Sequence, residues 1–579
     1  MLVVFAIGRI VFMAYNSSIE PISWGGMFHA LGAGLISHDL FVTAALLTIP
    51  WLTALYASRH PNFPLRTVLI PYYIVMGLCV SLIVMADVVM YEFWQFKLSA
   101  VVLSYAASPE GAANSVSTWF FVSRFAMVGM LMLLIIVPSI LLTPKRIEAS
   151  PFTRYWFRNI SIIWTFLLAV GLFLSHVGDA YFSRRLFLNH AAVNPVYAFT
   201  ASFPMEKKYR FLSEDERAET FRGLYPEETE DITDTLLTTQ HPDVLVVLIE
   251  SFAGKFVREL GGLPDVAPNW SRLIPEGIFW ENYYSNSFRT DRGTVSAYSG
   301  WLPYPTVSMM RHAEWHASLP SLAATLAGQG YATSYLYGGS MTNMGKGDYL
   351  RNMHFEHLYD YTAFAPDELD GQWGANDSTS AMKTYQLIAQ TDTASHWMMA
   401  YQTLSSHEPW EVPYHRLDDV RLNAFAYTDH CLGMLVDSLR TLPQWDNMLV
   451  ILIPDHGYLY EQTYEDPEFF HSPMLWLGGA IREPRRMDVL MNQSDLAATL
   501  LSQMGISHTD FPWSRNVLSS SYTYPFVYCN FPAGILFGDS TGVSIYDITA
   551  REPINELPMP SPERIRKAQS ILQTSDFNP

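Results

Sequence analysis

Five apolar stretches precede residue 180, at about Met1 to Tyr15, Leu40 to Tyr56, Thr67 to Tyr91, Trp119 to Leu142 and Ile160 to Ser175. A helix that crosses a bilayer core needs roughly 20 apolar residues, so the last four read as membrane spans and the first as a short one. Short cytoplasmic loops collect Lys and Arg. The loop after the second stretch holds Arg59 and Arg66, and that after the fourth holds Lys145, Arg146, Arg154 and Arg158, whereas the loops after the first and third offer only Lys97. Five spans of this polarity predict a cytoplasmic N-terminus and an outward location for everything after residue 180. The competing reading, buried core helices of a soluble protein, fits neither the lengths nor the charge asymmetry.

The charge distribution divides the chain in the same place. Of 36 basic and 55 acidic residues, the first 200 positions hold 11 and 7, and the remainder 25 and 48. An acidic second part repels phosphate polymers, which argues against a nucleic-acid partner. Only 16% of residues are charged and 49% are hydrophobic, against about 25% charged in soluble domains. Three cysteines, Cys79, Cys431 and Cys529, form no CxxC pair, which excludes a cysteine zinc cluster or a dense disulfide framework. Cys431 and Cys529 could be one bridge or two buried thiols. The polar, charged stretch 181–241 reads as a linker.

From residue 242, short apolar runs alternate with longer amphipathic segments, the pattern of an α/β unit with a mainly parallel sheet. Four runs end in polar residues: 243–249 at Glu250 and Ser251, 332–338 at Gly339, Ser340 and Asn343, 397–404 at Ser405, Ser406 and His407, and 449–453 at Asp455, His456 and Gly457. Ligands of open α/β sheets bind at the carboxyl ends of strands, so Glu250, His407, Asp455 and His456 are expected on one edge. Two carboxylates beside a histidine offer donors that Mn²⁺, Mg²⁺ or Zn²⁺ accept. A nucleophile is expected in SNSFRTDRGTVSAYSG, where Thr290 opens a predicted helix whose free N–H groups would face an anion. Thr290 and Asp291 read equally well as helix caps, and Arg289 and Arg292 either neutralise phosphate oxygens or lie on the surface.

The segments HPDVLVVLIESF, SNSFRTDRG, LSSHEPW, YTDHCLGMLVDSLR and IPDHG, in this order behind the apolar stretches, resemble the lipoteichoic acid synthase and phosphoglycerol transferase family of the alkaline phosphatase and sulfatase superfamily. The resemblance implies a five-helix membrane domain (1–180), a linker (181–241) and an extracytoplasmic sulfatase-like catalytic domain (242–579) on the outer face of a bacterial cytoplasmic membrane. It implies that Glu250, Thr290, Asp455 and His456 hold one divalent metal, usually manganese, and that Thr290 is also the nucleophile. His407 would lie near the transferred group and His471 near the metal, with Arg289, Arg292 and Asn343 as substrate contacts. Two positions depart from the family. Its lysine before the nucleophile and Ser-Asp after it are replaced by Arg289, Asp291 and Arg292. Of its Trp-Asn-Arg trio only Asn343 survives among Met341, Thr342, Asn343 and Met344, with Lys346 and Arg351 as the nearby cations.

The activity so implied is transfer of phosphoglycerol from phosphatidylglycerol to a surface polymer or glycan through a phospho-threonine intermediate. Phosphoethanolamine transfer is the main alternative, although such enzymes usually carry several disulfides. A sulfatase-like hydrolase would need a C/S-x-P-x-R motif for its formylglycine, and none occurs. A silent scaffold that merely keeps the fold has little reason to retain the full set of metal ligands.

Overall fold

The apolar stretches are helical in the computed structural model, which describes residues 1–60, 62–103, 118–147, 150–203, 208–225 and 233–575. Helices α1 (Leu2–Tyr15), α2 (Trp24–Leu46), α3 (Thr48–Ala57), α4 (Leu65–Trp94), α5 (Thr118–Leu142) and α6 (Pro151–Phe173) follow in order. Four of them, α2, α4, α5 and α6, are long and apolar enough to cross a membrane, and α1 is shorter. The second stretch begins sixteen residues earlier than its hydropathy suggests, because Gly25, Gly26, His29 and Gly32 dilute an apolar pattern that still closes into a helix behind the Ser23 cap. A π-helical turn at Leu35–Asp39 interrupts α2. There Asp39 meets the buried Arg9 guanidinium of α1 in two 3.0 Å bonds, while Arg9 also donates to the carbonyls of Ala191 and Ala192 at 2.9 Å.

Within the expected linker, Leu186–Ala192, Pro195–Ala201 and Glu214–Phe221 are helices. Its residues 204–207 and 226–232 lie outside the described residues. Two units emerge by proximity: Met1–Met205 with Asp547–Ile554, and Glu206–Tyr546 with Asn555–Pro579.

The second unit is built on a nine-stranded sheet. Its strands are β1 (Asp243–Ile249), β2 (Ile278–Tyr284), β3 (Ala332–Tyr337), β4 (His357–Tyr359), β5 (Trp397–Gln402), β6 (Met448–Pro454), β7 (His471–Leu477), β8 (Arg485–Met487) and β9 (Met491–Asn492). The order is β4-β3-β5-β1-β6-β7-β2-β8, with β9 also on β2. All pairings are parallel except those of β7, which runs against both β6 and β2. The expected mainly parallel sheet is therefore mixed, with one reversed strand inside it. The central strand DVLVVLI is buried along its whole length, as a strand covered on both faces must be. Its even residues Val244, Val246 and Leu248 pack with Trp280, Tyr298 of helix α7 (Thr290–Ser299) and Leu500. Its odd residues Leu245, Val247 and Ile249 pack with Phe252, Phe256 and Trp270, and with Ile388 of α8 (Asp377–Ala389) and Phe425 of α9 (Val420–Leu439). A four-stranded sheet follows, in the order β10 (Phe526–Phe531), β11 (Gly534–Asp539), β12 (Gly542–Asp547), β13 (Glu552–Leu557), with the β10/β11 pair antiparallel. Cys431 and Cys529 are buried free thiols, so no bridge joins them.

Candidate active site

Strands β5, β1 and β6 are adjacent and parallel, so the residues that follow them meet at one edge. Glu250 follows β1 and Asp455 follows β6, and both are buried. Between them Ser251 takes a left-handed backbone conformation, φ 55°. Its N–H donates to Asp455 Oδ1 at 2.8 Å, its hydroxyl donates to Glu250 Oε1 at 2.8 Å, and the Ser251 hydroxyl oxygen lies 3.4 Å from His456 Nε2. Glu250 is fixed further by Thr403, whose hydroxyl accepts from its N–H, and by Ser406, whose hydroxyl donates to its carbonyl. One donor atom from each of Glu250, Asp455 and His456 lies within 4.8 Å of the others.

Thr290 is the first residue of α7, and its hydroxyl donates to Glu250 Oε2 at 3.3 Å. The turn before it is braced from the second sheet. Asn286 Nδ2 donates to Tyr528 O at 2.9 Å, and the Ser287 hydroxyl donates to Asn530 Oδ1 at 2.9 Å. At Gly293 the helix passes so close to Asp455 that a Cβ would collide with its carbonyl oxygen.

The electrostatics of the cluster favour a bound cation. Burial, and then repulsion by Glu250, push the Asp455 carboxyl up to about 7. Burial acts on Glu250 in the same sense, but His407, His456 and the Ser251 hydroxyl hold it below the ordinary glutamate value. Asp455 Oδ2 is buried without a hydrogen-bond partner. Two enclosed carboxylates, one with an orphaned oxygen, beside a histidine and a hydroxyl form a donor set that fits a hard or borderline divalent cation. His456 Nδ1 approaches the Gly457 carbonyl at 2.7 Å, leaving Nε2 toward the carboxylates at 3.7 Å from each.

The remaining residues singled out by sequence divide. His407 sits in the turn after β5; its Nδ1 is 3.1 Å from Glu408 O and 3.2 Å from Glu408 Oε2, and Trp373 packs edge-on against its ring at 4.7 Å. Burial would lower His407, but Glu408 and Glu250 raise it above the ordinary histidine value. Arg289 is the extended residue that caps α7. Arg292 is instead turned away, donating to Tyr304 O at 3.1 Å and pairing with Asp291. Burial opposes ionisation of Asp291, yet Arg292 and Arg311 hold it well below the usual carboxylate range. His471 lies apart from the cluster: it stacks on Tyr284, with Nε2 2.6 Å from Glu281 O and Nδ1 3.2 Å from Glu468. The Asn343 side chain lies outside the described residues.

Two site residues carry no motif of their own. Lys346 is buried, with its ammonium 2.7 Å from Gln402 Oε1 and 3.8 Å from the centre of the Tyr337 ring. Burial lowers it to about 8 against the pull of Glu250 and Asp455. Arg351, the other nearby cation, is exposed and paired with Asp348. Trp373 donates from its indole to Glu408 O at 2.6 Å, closing the ring of contacts around His407.

Residues 242–506 match the sequence family described as Sulfatase. A curated relative, phosphoglycerol transferase I of Xanthomonas campestris pv. campestris (strain B100), is 25% identical over 221 residues, 33% of this chain and 30% of that protein. Another phosphoglycerol transferase I, from Xanthomonas euvesicatoria pv. vesicatoria, is 26% identical over 289 residues, 44% of this chain and 40% of the relative. The matched part thus spans less than half the length of these relatives. Among solved structures, an alkaline phosphatase superfamily protein from Vibrio parahaemolyticus superposes with TM-score 0.54 at 22% identity, covering 64% of this chain and 97% of that one. The lipoteichoic acid synthase LtaP from Listeria monocytogenes gives TM-score 0.52 at 16% identity, covering 63% and 98%.

Proposed function

We propose, from the premise that residues 242–506 are a sulfatase domain of the alkaline phosphatase superfamily, that the chain is a membrane-bound phosphoglycerol transferase. Its donor is phosphatidylglycerol, its acceptor a surface polymer or glycan, and its seat the bacterial cytoplasmic membrane with the catalytic unit on the outer face. The observation that carries this reading is the Thr290 hydroxyl at a helix start, 3.3 Å from a buried carboxylate that belongs to a three-residue ligand cluster.

In the first half-reaction Thr290 Oγ attacks the donor phosphorus, and its proton passes toward the Glu250 carboxylate that already accepts it. The bond from phosphorus to the diacylglycerol oxygen breaks. His407, held through Nδ1 by Glu408, turns Nε2 toward the leaving oxygen and protonates it. The N-terminal N–H groups of α7 face the phosphate oxygens, and Lys346 supplies the cation that the family's missing arginine would have given. In the second half an acceptor hydroxyl attacks the phosphorus, His407 takes its proton, the bond from phosphorus to Thr290 Oγ breaks, and Thr290 recovers its proton from Glu250. A divalent ion held by Glu250, Asp455, His456 and Thr290, manganese by family resemblance, would supply Lewis acidity and favour the threonine alkoxide.

Mass spectrometry of the full chain incubated with Mn²⁺ and phosphatidylglycerol tests the proposal. A glycerophosphate adduct on the Thr290 peptide, absent from Thr290→Ala, is expected. An adduct formed only from phosphatidylethanolamine would replace the donor, and none from either lipid would overturn the transferase reading.

A further inference from the structure

We propose that the first unit carries a second lipid site: a groove between α3 and α6 that binds an anionic phospholipid, its phosphate held by Arg59 and Arg158. The groove is open along one side and has a volume of about 1130 Å³. Its polar end is formed by Arg59, Ser58, Arg158 and Tyr155, and its apolar length by Leu55, Ile162, Phe166 and Ala169. The α6 residues recur at helical spacing and so share one face. From Arg158 to Ala169 that face rises about 16 Å at 1.5 Å per residue, close to half of a roughly 30 Å hydrocarbon core. The lining therefore runs from charge to hydrocarbon over the depth of one leaflet.

The groove is held open by built contacts. Trp51 and Trp164 stack at 5.3 Å, Trp51 Nε1 donates to the Ser161 hydroxyl at 3.1 Å, and Trp164 Nε1 donates to Thr48 Oγ1 at 3.2 Å. These bonds tie α3 to α6 and leave Ile162 and Phe166, each 66% exposed, without a protein cover among the described residues. The charge is one-sided. No acidic residue lines the groove. Arg158 lies with its guanidinium carbon 5.4 Å from the centre of the Tyr155 ring, an arrangement that supports the cation while leaving its N–H edge for another acceptor. Two guanidiniums above a hydrocarbon slot complement a phosphate that carries acyl chains, whereas a free phosphate would gain nothing from the slot. Arg59 lies in the loop after α3 and Arg158 near the start of α6, on the side that the positive-inside rule assigns to the cytoplasm, where anionic lipid is recognised by such residues. The site is separate from the Thr290 centre and does not depend on its function.

Native mass spectrometry of the full chain released from detergent, with equimolar dioleoyl phosphatidic acid and dioleoyl phosphatidylcholine as probes, tests this. Phosphatidic acid has no headgroup alcohol to transfer, so retention is read apart from catalysis. Expected is a preference for phosphatidic acid of roughly thirtyfold, each basic residue contributing on the order of fivefold. The preference should vanish in Arg59→Gln/Arg158→Gln, persist in Arg59→Lys/Arg158→Lys, and be unchanged in Thr290→Ala. Equal retention of the two lipids, or an undiminished preference in the Gln pair, would overturn the site; loss in Thr290→Ala would move the lipid to the catalytic centre and overturn it equally.

Discussion

At Gly293 helix α7 runs against the backbone that carries Asp455, and this one missing side chain keeps Thr290 and Asp455 in register. Gly293→Ala is expected to push the helix away, lowering Mn²⁺ affinity by about tenfold or more while far-UV circular dichroism stays that of the wild type; unchanged affinity in a manganese titration would show that the helix can shift without loss. Glu250, Asp455 and His456 could be found in sequence because each follows a strand buried on both faces, where polarity changes abruptly. Arg292 stays ambiguous in sequence for the opposite reason: an arginine beside Thr290 looks the same whether it faces substrate or donates, as it does here, to the Tyr304 carbonyl. Lys346 was named only as one of two nearby cations, and Trp373 escaped altogether, because their place depends on which loops meet, and no local pattern encodes that.

Asp429 in α9 caps the neighbouring helix Pro268–Leu273, accepting from the N–H groups of Asn269 and Trp270 at 3.0 Å and from Asn269 Nδ2 at 2.9 Å. Its removal to Ala leaves buried donors unpaired and should cost about 3 kcal/mol. Burial raises its carboxyl above the ordinary value despite these donors. The stability contributed by the protonated form is thus fully present below the unfolded value of about 4 and is lost as pH rises through the folded value. Urea midpoints between pH 4 and pH 7 should fall more for the wild type than for Asp429→Asn, which is less stable throughout; parallel curves would contradict the assignment. At this scale the sequence was readable for β1, β3, β5 and β6, whose apolar runs end in polar turns. It was silent on β7, since HSPMLWL reads alike in either direction and only its pairing with β6 and β2 reverses it. The β10 to β13 sheet, which braces the nucleophile turn, lay beyond the motifs altogether.

For the whole molecule, a cation bound by the two enclosed carboxylates would add to stability. Adding Mn²⁺ to chelator-treated protein at about a hundred times its dissociation constant should stabilise the second unit by about 2.7 kcal/mol, raising its thermal midpoint by several degrees. Asp455→Ala should abolish the rise, and a metal-independent midpoint in the wild type would refute the ligand set. The charge distribution put a boundary at residue 180, whereas the compact units divide between Met205 and Glu206; the helices within 186–221 were not legible, because each is short and draws its stability from neighbours distant in sequence. The Arg9 guanidinium has a consequence for how the chain is made. Its carboxylate partner lies 30 residues downstream, but the Ala191 carbonyl that completes its shell lies 182 residues away. Synthesis from the N-terminus therefore releases α1 with its charge only partly answered, and the helix cannot settle until every span has left the ribosome, so the first segment to be made is the last to be finished.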